Sequence, residues 1–205
     1  MTPALREKMG RAACECARAV QYEGLGTVEF LVDENMNFYF MEMNTRIQVE
    51  HPVTEEIAGL DLVREQIRVA QGHKLSFKQE DIVLKGHSIE CRINAEDPST
   101  FVPCPGEISS YIPPGGRRVR IDSFVYQGYK VPPFYDSMLG KLITWGETRE
   151  EARATMLRAL AEYKIEGIKT NLPLHLRILG SDSFRDADFY TKWIEDVLLK
   201  GSGRN

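Results

Sequence analysis

Five polar residues that could bind metals or anions recur at every second position of one short stretch, separated by mostly apolar residues. They are Glu42, Asn44, Arg46, Gln48 and Glu50. Because alternate side chains of an extended chain share a face, we expect all five on one face, over about 27 Å at about 3.3 Å per residue. A solvated strand face is the alternative. Solvated faces usually carry Lys, Thr and Ser without preference, whereas these five residues are all of types that bind metals or anions. The stretch also leads directly into His51-Pro52, where regular strand pairing should stop.

The preceding residues could add a second carboxylate to this face. Two strand candidates, 27–33 and 38–44, are separated by a short turn and predict an antiparallel hairpin. Glu29 is the one charged residue in the interior of the first strand, before Asp33 at its end, and an isolated carboxylate there is costly. In a hairpin it can face Glu42 and Asn44 across the ladder. This oxygen-rich set suits Mg²⁺ or Mn²⁺, and a pair of half-exposed strand carboxylates is an equally good interpretation.

The elements around this stretch form a first domain, which we place at residues 1–73. A helix with a threonine cap and an early proline is predicted over 2–22. The second part of 52–70 is also predicted to be helical. The polar, weakly patterned stretch that follows marks a boundary, so we expect a second domain at 74–200 and a disordered tail at 201–205.

The second domain consists of short strand candidates separated by Gly/Pro turns. They predict an antiparallel meander or barrel-like sheet, followed by helices, so the fold class is α+β. The strand candidates are 88–94, 107–112, 119–125, 138–145 and a short one within 165–170, and the helix candidates are 148–163, 172–179 and 188–199.

Length and composition limit the functional classes. The 205 residues are 42% hydrophobic and 27% charged, which is typical of a globular chain with one large or two small domains. A formal charge of -4 gives no electrostatic reason to expect nucleic acid or membrane binding, and no apolar run approaches the roughly 20 residues of a membrane span. The four sparse cysteines and the absence of a signal-like N-terminus predict reduced thiols in a cytoplasm-like compartment.

Other common catalytic motifs are absent from the sequence. It contains no P-loop, no Gly-x-Ser-x-Gly, no His-Glu-x-x-His and no Gly-x-Gly-x-x-Gly, and its four histidines show no metal-ligand spacing. Arg117, Arg118 and Arg120 follow a Gly-Gly turn and are interpreted as a solvated cluster, with an interface or anion contact as the alternative.

The stretch at 42–55 closely resembles the signature of the biotin carboxylase family, the ATP-grasp component of acetyl-CoA, propionyl-CoA and pyruvate carboxylases. Its residues are Glu-Met-Asn-Thr-Arg-Ile-Gln-Val-Glu-His-Pro-Val-Thr-Glu. The resemblance continues at 86–98, 131–142 and 167–171, and so covers almost the whole chain. It implies the C-terminal part of an ATP-grasp domain, followed by the biotin carboxylase C-terminal domain with its antiparallel sheet and helices.

The resemblance implies a nucleotide and metal end of the site. The family uses ATP and bicarbonate to carboxylate N1 of biotin through carboxyphosphate. Glu29, Glu42 and Asn44 match its metal ligands, which hold two Mg²⁺ or Mn²⁺ ions against the ATP phosphates. Leu31 and Met41 flank these carboxylates and are expected to touch the adenine side of ATP.

The resemblance also implies a bicarbonate and biotin end. Arg46 matches the arginine that grips bicarbonate, and Gln48 and the backbone at Val49 match further contacts. Glu50 matches the general base that takes the bicarbonate proton. Arg92 matches the arginine that stabilises the enolate of deprotonated biotin. Without the resemblance, a strand-face salt bridge with its neighbouring glutamate is the favoured interpretation of this arginine.

A full biotin carboxylase resembles this chain only over its C-terminal part. The N-terminal domain, the Gly-rich lid and the basic residues that hold the phosphates have no counterpart in the sequence, so we expect the isolated chain to be inactive. The alternative function is a non-catalytic module for dimerisation and assembly. A carbamoyl-phosphate or purine-pathway ATP-grasp enzyme fits poorly, because it should lose the pattern from Arg46 to Glu50.

The resemblance implies several partners. They are a biotin carboxyl carrier protein or domain, a carboxyltransferase component and a second copy of the chain, with Arg120 near the dimer contact. The expected compartment is the cytoplasm, or the mitochondrial matrix of a eukaryote. The final acyl-CoA or keto-acid acceptor belongs to the carboxyltransferase.

Overall fold

The computed structural model describes residues 1–199, and the chain divides into two compact units. The first unit is Met1–Val83, and the second begins at Leu84. The domain boundary predicted at residue 74 falls in the irregular end of the first unit and stays a prediction. The tail predicted at 201–205 lies outside the described residues.

The first helix, α1, spans Pro3–Ala19 and begins as its sequence predicts. The Thr2 hydroxyl accepts a hydrogen bond from the Leu5 amide at 3.2 Å, and proline occupies the first turn, where its missing N–H has no consequence. Leu5 is the buried residue of this helix, and its other apolar residues are half-buried or exposed.

Two strands, β1 (Thr27–Val32) and β2 (Phe38–Asn44), form the predicted antiparallel hairpin. Asp33 organises the turn between them by accepting hydrogen bonds from the amides of Asn35 and Asn37, at 2.9 and 2.8 Å. Hydrogen bonds from Asn37, side chain and backbone, are the main reason why the pKa of Asp33 is lowered. The turn therefore fixes the register of the hairpin.

Two helices follow the hairpin; the second confirms the helix predicted in the second part of 52–70, and the first was not predicted. They are α2 (His51–Ala58) and α3 (Leu62–Ala70). A glycine at 59 with φ 67° ends α2, because a left-handed residue cannot continue a right-handed helix. The buried carboxylate of Glu55 accepts the Leu62 amide at 2.7 Å, which ties the end of α2 to the start of α3.

The strands of the second unit are β3 (His87–Asn94), β4 (Gly106–Glu107), β5 (Ser110–Ile112), β6 (Val119–Ser123), β7 (Lys130–Val131), β8 (Met138–Gly146) and β9 (Lys164–Glu166). They form a three-stranded antiparallel sheet, in the order β3–β8–β6, and two short antiparallel ribbons, β4–β7 and β5–β9. The predicted antiparallel pairing is confirmed, but the sheet is not a meander, because its neighbouring strands are not consecutive in the chain.

The hydrophobic core of the second unit lies between one face of this sheet and helix α4 (Arg149–Glu162). Leu142 on β8 and Met156 on α4 are fully buried within it. Helix α4 begins at a threonine cap, because the Thr148 hydroxyl accepts the Glu151 amide at 3.2 Å. Burial of apolar side chains in this core is the main source of stability of the second unit.

Helix α5 (Leu172–Gly180) is confirmed, but the helix predicted at 188–199 is wrong over its first half. A short helix, α6 (Asp182–Asp186), comes first, and only Ile194–Leu199 forms a helical turn, of π type. The ring of Phe189 stacks on Phe184 of α6 at 5.7 Å, which holds the intervening chain against α6.

Both tryptophans belong to the second unit. Trp145 donates its indole N–H to the Lys85 carbonyl at 2.9 Å, and the guanidinium of Arg118 lies 4.7 Å from the centre of its ring. Trp193 is buried. Within residues 1–199, no helix combines the length and the hydropathy that crossing a bilayer requires.

Candidate functional site

Asn44 joins two carboxylates at the end of the hairpin. Glu29 on β1 lies directly opposite Glu42 on β2, as the hairpin predicted. The amide nitrogen of Asn44 donates to an oxygen of Glu29 at 2.7 Å and to an oxygen of Glu42 at 3.1 Å. The two carboxylate oxygens are therefore at most about 6 Å apart, the sum of the two bond lengths, so their negative charges repel.

The extended row predicted over residues 42–50 is wrong beyond Asn44. Strand β2 ends there, because its last cross-strand partner is Thr27, the first residue of β1. Without a partner strand, the next residues form a loop, and Glu50 has φ -81° and ψ 7° at the position before helix α2. Helix α2 then begins at His51, and Pro52 lies in its first turn, where a missing N–H is tolerated.

The loop at 45–50 turns back towards the carboxylates. The side-chain amide of Gln48 donates to the same Glu29 oxygen at 3.1 Å. The guanidinium of Arg46 donates to the Asn44 side-chain oxygen at 3.2 Å and to the Ile47 carbonyl at 3.2 Å. Hydrogen bonds thus join Glu29, Glu42, Asn44, Arg46 and Gln48 into one cluster, although the chain is not extended.

The other predicted residues of the first unit surround this cluster in the sequence. Glu50 is exposed at the start of α2 and Val49 beside it is half-buried. Leu31 is 60% exposed and Met41 is 48% exposed. These two side chains leave apolar surface in solvent on the hairpin, which is the kind of surface that a flat aromatic ring can cover.

The donor set of the cluster fits a hard divalent cation. Carboxylate and amide oxygens are the ligands that Mg²⁺ and Mn²⁺ prefer. No group of three or more His, Cys, Asp or Glu residues that could hold a metal occurs between residues 1 and 199. Two carboxylates and one amide fit a site that substrate phosphates and water complete, which is how Mg²⁺ is commonly held.

Arg92 belongs to the second unit. It lies on β3, where its side chain is exposed and its cross-strand partner is Lys141 on β8. The carbonyl oxygen of Arg92 accepts hydrogen bonds from the side-chain amide of Asn171 at 3.0 Å and from the imidazole of His175 at 2.8 Å. The sequence assigns no role to these two residues, and its signals are at Asn171, which ends the segment of family resemblance at 167–171 and directly precedes a predicted helix.

Two family profiles match the chain. The biotin carboxylase C-terminal domain matches residues 90–196, which is more than half of the chain. The ATP-binding domain of the carbamoyl-phosphate synthase L chain matches residues 1–78.

Curated relatives are similar over nearly the whole chain. It is 58% identical over 200 residues to biotin carboxylase 1 of Bacillus subtilis, covering 97% of this chain and 44% of that protein. It is 55% identical over 194 residues to the biotin carboxylase of a Nostoc species, covering 94% of this chain and 43% of that protein. The chain thus spans less than half the length of these relatives.

Solved structures give the same result. A biotin carboxylase of Campylobacter jejuni, described as a complex with β,γ-ATP, superposes with a TM-score of 0.91 at 49% identity, over 95% of this chain and 44% of that chain. The biotin carboxylase domain dimer of Hydrogenobacter thermophilus 2-oxoglutarate carboxylase, described with MgADP, ADP and bicarbonate, gives 0.92 at 48% identity, over 96% and 44%. The chain therefore belongs to the biotin carboxylase family.

Proposed function

We propose that this chain supplies the metal, bicarbonate and biotin residues of a biotin carboxylase, which uses ATP and bicarbonate to carboxylate N1 of carrier-bound biotin through carboxyphosphate. One observation carries the proposal. A single oxygen of Glu29 accepts hydrogen bonds from Asn44 and from Gln48, so the expected metal ligands and bicarbonate contacts share one hydrogen-bonded cluster.

Glu29, Glu42 and Asn44 are the residues that would hold two divalent ions, Mg²⁺ or Mn²⁺. When bound, such ions neutralise negative charge on the ATP phosphates as the γ-phosphoryl group is transferred. The protein contributes two carboxylates that repel each other and gain from a cation between them. The exposed side chains of Leu31 and Met41 would contact the adenine ring.

Arg46, Gln48 and the Val49 backbone would bind bicarbonate, because a planar guanidinium matches the two oxygens of such an anion. The exposed carboxylate of Glu50 would then accept the proton of bicarbonate. The resulting anion attacks the γ-phosphorus of ATP and forms carboxyphosphate, and ADP leaves. The MgADP and bicarbonate named for the Hydrogenobacter relative support these substrates.

Arg92 would stabilise the enolate of biotin after N1 loses its proton. Negative charge then develops on the ureido oxygen, and a fixed guanidinium lowers the energy of that state. The side chain is exposed on β3, so a substrate can reach it. The proposed partners are a biotin carboxyl carrier, a carboxyltransferase component and a second copy of the chain, and the four free cysteines support a reducing compartment such as the cytoplasm.

The test joins the chain to the upstream part of the Bacillus subtilis relative and measures ATP-dependent fixation of labelled bicarbonate onto free biotin. We expect fixation by the joined protein and a loss of at least about a hundredfold in Glu50→Gln, because general-base catalysis contributes on that scale. Glu34→Gln, an exposed carboxylate of the hairpin turn, is the matched control and should keep full activity. A folded joined protein without fixation, or a fully active Glu50→Gln variant, would refute the proposal.

The isolated 205-residue chain should show no bicarbonate-dependent ATPase activity, because ATP positioning provides much of the rate of phosphoryl transfer. Measurable activity of that kind would contradict this part of the proposal.

Dimerisation is the second candidate function, and the charged face of the β3–β8–β6 sheet favours it. Arg120 donates two hydrogen bonds of 2.8 Å to the two oxygens of Asp122, and Lys141 lies 3.7 Å from the same carboxylate. All three side chains are half-buried, so the face is already ordered. Arg120→Glu should reduce dimer formation, as measured by sedimentation velocity. An unchanged dimer would exclude this face.

A further inference from the structure

Strand β3 carries Arg92 along an edge of the three-stranded sheet. It pairs with β8 on one side, and side chains from the start of helix α5 bind its other side. The side-chain oxygen of Asn171 accepts the Asn94 amide at 2.9 Å, and its side-chain nitrogen donates to the Arg92 carbonyl at 3.0 Å. The Asn171 main-chain amide donates to the Asn94 carbonyl at 3.1 Å. One residue thus makes three hydrogen bonds to this short piece of strand.

His175 adds a fourth bond from one helical turn further along. Its Nε2 lies 2.8 Å from the Arg92 carbonyl oxygen, which can only accept, so Nε2 carries the proton. Burial lowers the pKa of this imidazole, which favours its neutral form. Residues 171 and 175 are four apart on the helix and therefore share a face, and both bind the same carbonyl.

The use of Asn171 is unusual for its position. It stands at the N-cap of α5, where asparagine normally accepts a hydrogen bond from its own helix, but it makes no such bond here. Its side chain is buried, and both polar atoms are committed to β3 instead. Helix α5 therefore lacks the side-chain cap that stabilises most helices, and the same side chain instead fixes the backbone of β3 at Arg92.

We infer that Asn171 and His175 are positioning residues that fix the backbone of Arg92 and so aim its guanidinium at the ureido oxygen of biotin. The inference rests on the proposed role of Arg92 and adds the residues through which that role depends on helix α5. Carbonyl and side chain belong to one residue, so a shift of the strand edge moves the point from which the guanidinium extends. Displacements near 1 Å can cost about a hundredfold in rate.

The test measures two rates in the joined protein described above. The first is biotin-dependent bicarbonate fixation, which needs Arg92. The second is bicarbonate-dependent ATP hydrolysis without biotin, which needs carboxyphosphate formation by residues of the first unit and of the joined upstream part, and does not need the biotin-directed role of Arg92. Asn171→Ala should lower the first rate by between about tenfold and about a hundredfold, the upper figure being the cost of a displacement near 1 Å, and leave the second within about twofold. Equal losses in both rates, or an unchanged fixation rate, would overturn the inference.

A pair of substitutions at His175 separates hydrogen bonding from packing. His175→Leu removes the donor and should reduce fixation, whereas His175→Gln retains an N–H donor and should restore most of it. Thr148→Ala is the matched control, because it removes one helix-cap bond elsewhere in the same unit. It should lower the melting temperature without changing the ratio of the two rates. A ratio that falls as much in Thr148→Ala as in Asn171→Ala would show a general effect of stability and refute positioning.

The role of Arg92 itself is tested by Arg92→Ala. If that variant keeps its fixation rate, the proposed role of Arg92 fails, and the positioning inference with it. If Arg92→Ala abolishes fixation and Asn171→Ala does not reduce it, only the positioning inference fails. If both reduce it, adding Asn171→Ala to Arg92→Ala should cause no further loss, because the side chain being positioned is already absent.

Discussion

The Glu29 carboxylate should hold the loop at 45–50 in place, and two substitutions can test this. Glu29→Ala removes the acceptor of the Asn44 and Gln48 amides, which bind it at 2.7 and 3.1 Å. Hydrogen bonds to a charged group contribute about 1.5–3 kcal/mol when buried, and we take about 1 kcal/mol each for this half-buried group. The loss is then about 2 kcal/mol. Removing the charge also relieves repulsion from Glu42, about 0.7 kcal/mol at about 6 Å in a water-like dielectric.

The hydrogen bonds outweigh the repulsion, so the loop should open more easily by about 1.3 kcal/mol, or about tenfold. The His51 amide is the probe, since it donates to the Gln48 carbonyl at 3.2 Å and exchanges with solvent only when the loop opens. Its deuterium exchange should accelerate about tenfold in Glu29→Ala. The exposed control Glu7→Ala on helix α1 should leave it unchanged.

Glu29→Gln separates geometry from charge. Glutamine keeps an acceptor oxygen at nearly the same place and loses the charge, so the weaker hydrogen bonds and the relieved repulsion nearly cancel, and His51 exchange should stay within about twofold of the parent chain. Equal acceleration in the Gln and Ala variants would mean that charge, not hydrogen-bond geometry, holds the loop. No acceleration in either would refute the assignment of Glu29 as its anchor.

Three further predictions concern stability and reactivity. A Cβ at Gly146 would lie 2.5 Å from the backbone nitrogen of residue 152, so Gly146→Ala should lower the free energy of unfolding by about 1–3 kcal/mol, as measured by chemical denaturation. Gly10→Ala, in the open interior of α1, should instead raise the free energy of unfolding by up to about 1 kcal/mol. Burial raises the pKa of Cys91 to about 12, so its labelling by iodoacetamide at pH 8 should be about a thousandfold slower than that of exposed Cys14. Comparable labelling rates would contradict its burial. The stability that the neutral thiol provides should be lost as pH rises from about 9 towards 12. The hydrogen bond from Lys169 lowers the pKa of Asp97, so this ion pair should stabilise the fold above pH 3.8 and lose its effect as pH falls further. The difference in melting temperature between the parent chain and Asp97→Asn should therefore vanish in acid. A difference that stays constant with pH would refute the assignment.

The hairpin and its carboxylate pair could be predicted because local pattern determines both. Alternation set which residues share a face, and a short turn set which residues lie opposite each other, so Glu29 and Glu42 were expected to meet. The loop after Asn44 was not predicted, because the same alternation continues through it. The strand ends where β1 supplies no further partner, and the length of a partner strand is not visible in the strand it pairs with.

The contacts of Asn171 could not be predicted for a different reason. The sequence indicated a helix that starts directly after this residue, and α5 begins at Leu172 with Asn171 as its N-cap. The Arg92 carbonyl, to which the Asn171 side chain donates, lies 79 residues earlier in the chain, and only the packing of α5 near β3 brings the two together. Local propensity therefore found the correct element, and tertiary structure changed what the side chain does. A similar case is Phe189, which lies in a stretch that the sequence predicts to be helical and instead stacks on Phe184 of α6.

The placement of both tryptophans in the second unit determines what intrinsic fluorescence can report. Trp145, bonded to Lys85, and the buried Trp193 will follow unfolding of the second unit, while the first unit contributes no indole signal. A single sharp fluorescence transition would therefore not show whether the hydrogen-bonded cluster around Glu29 in the first unit is folded or unfolded. Tyr39→Trp, at a 56% exposed position on β2, would give the first unit its own reporter, and the two signals would distinguish one cooperative transition from two.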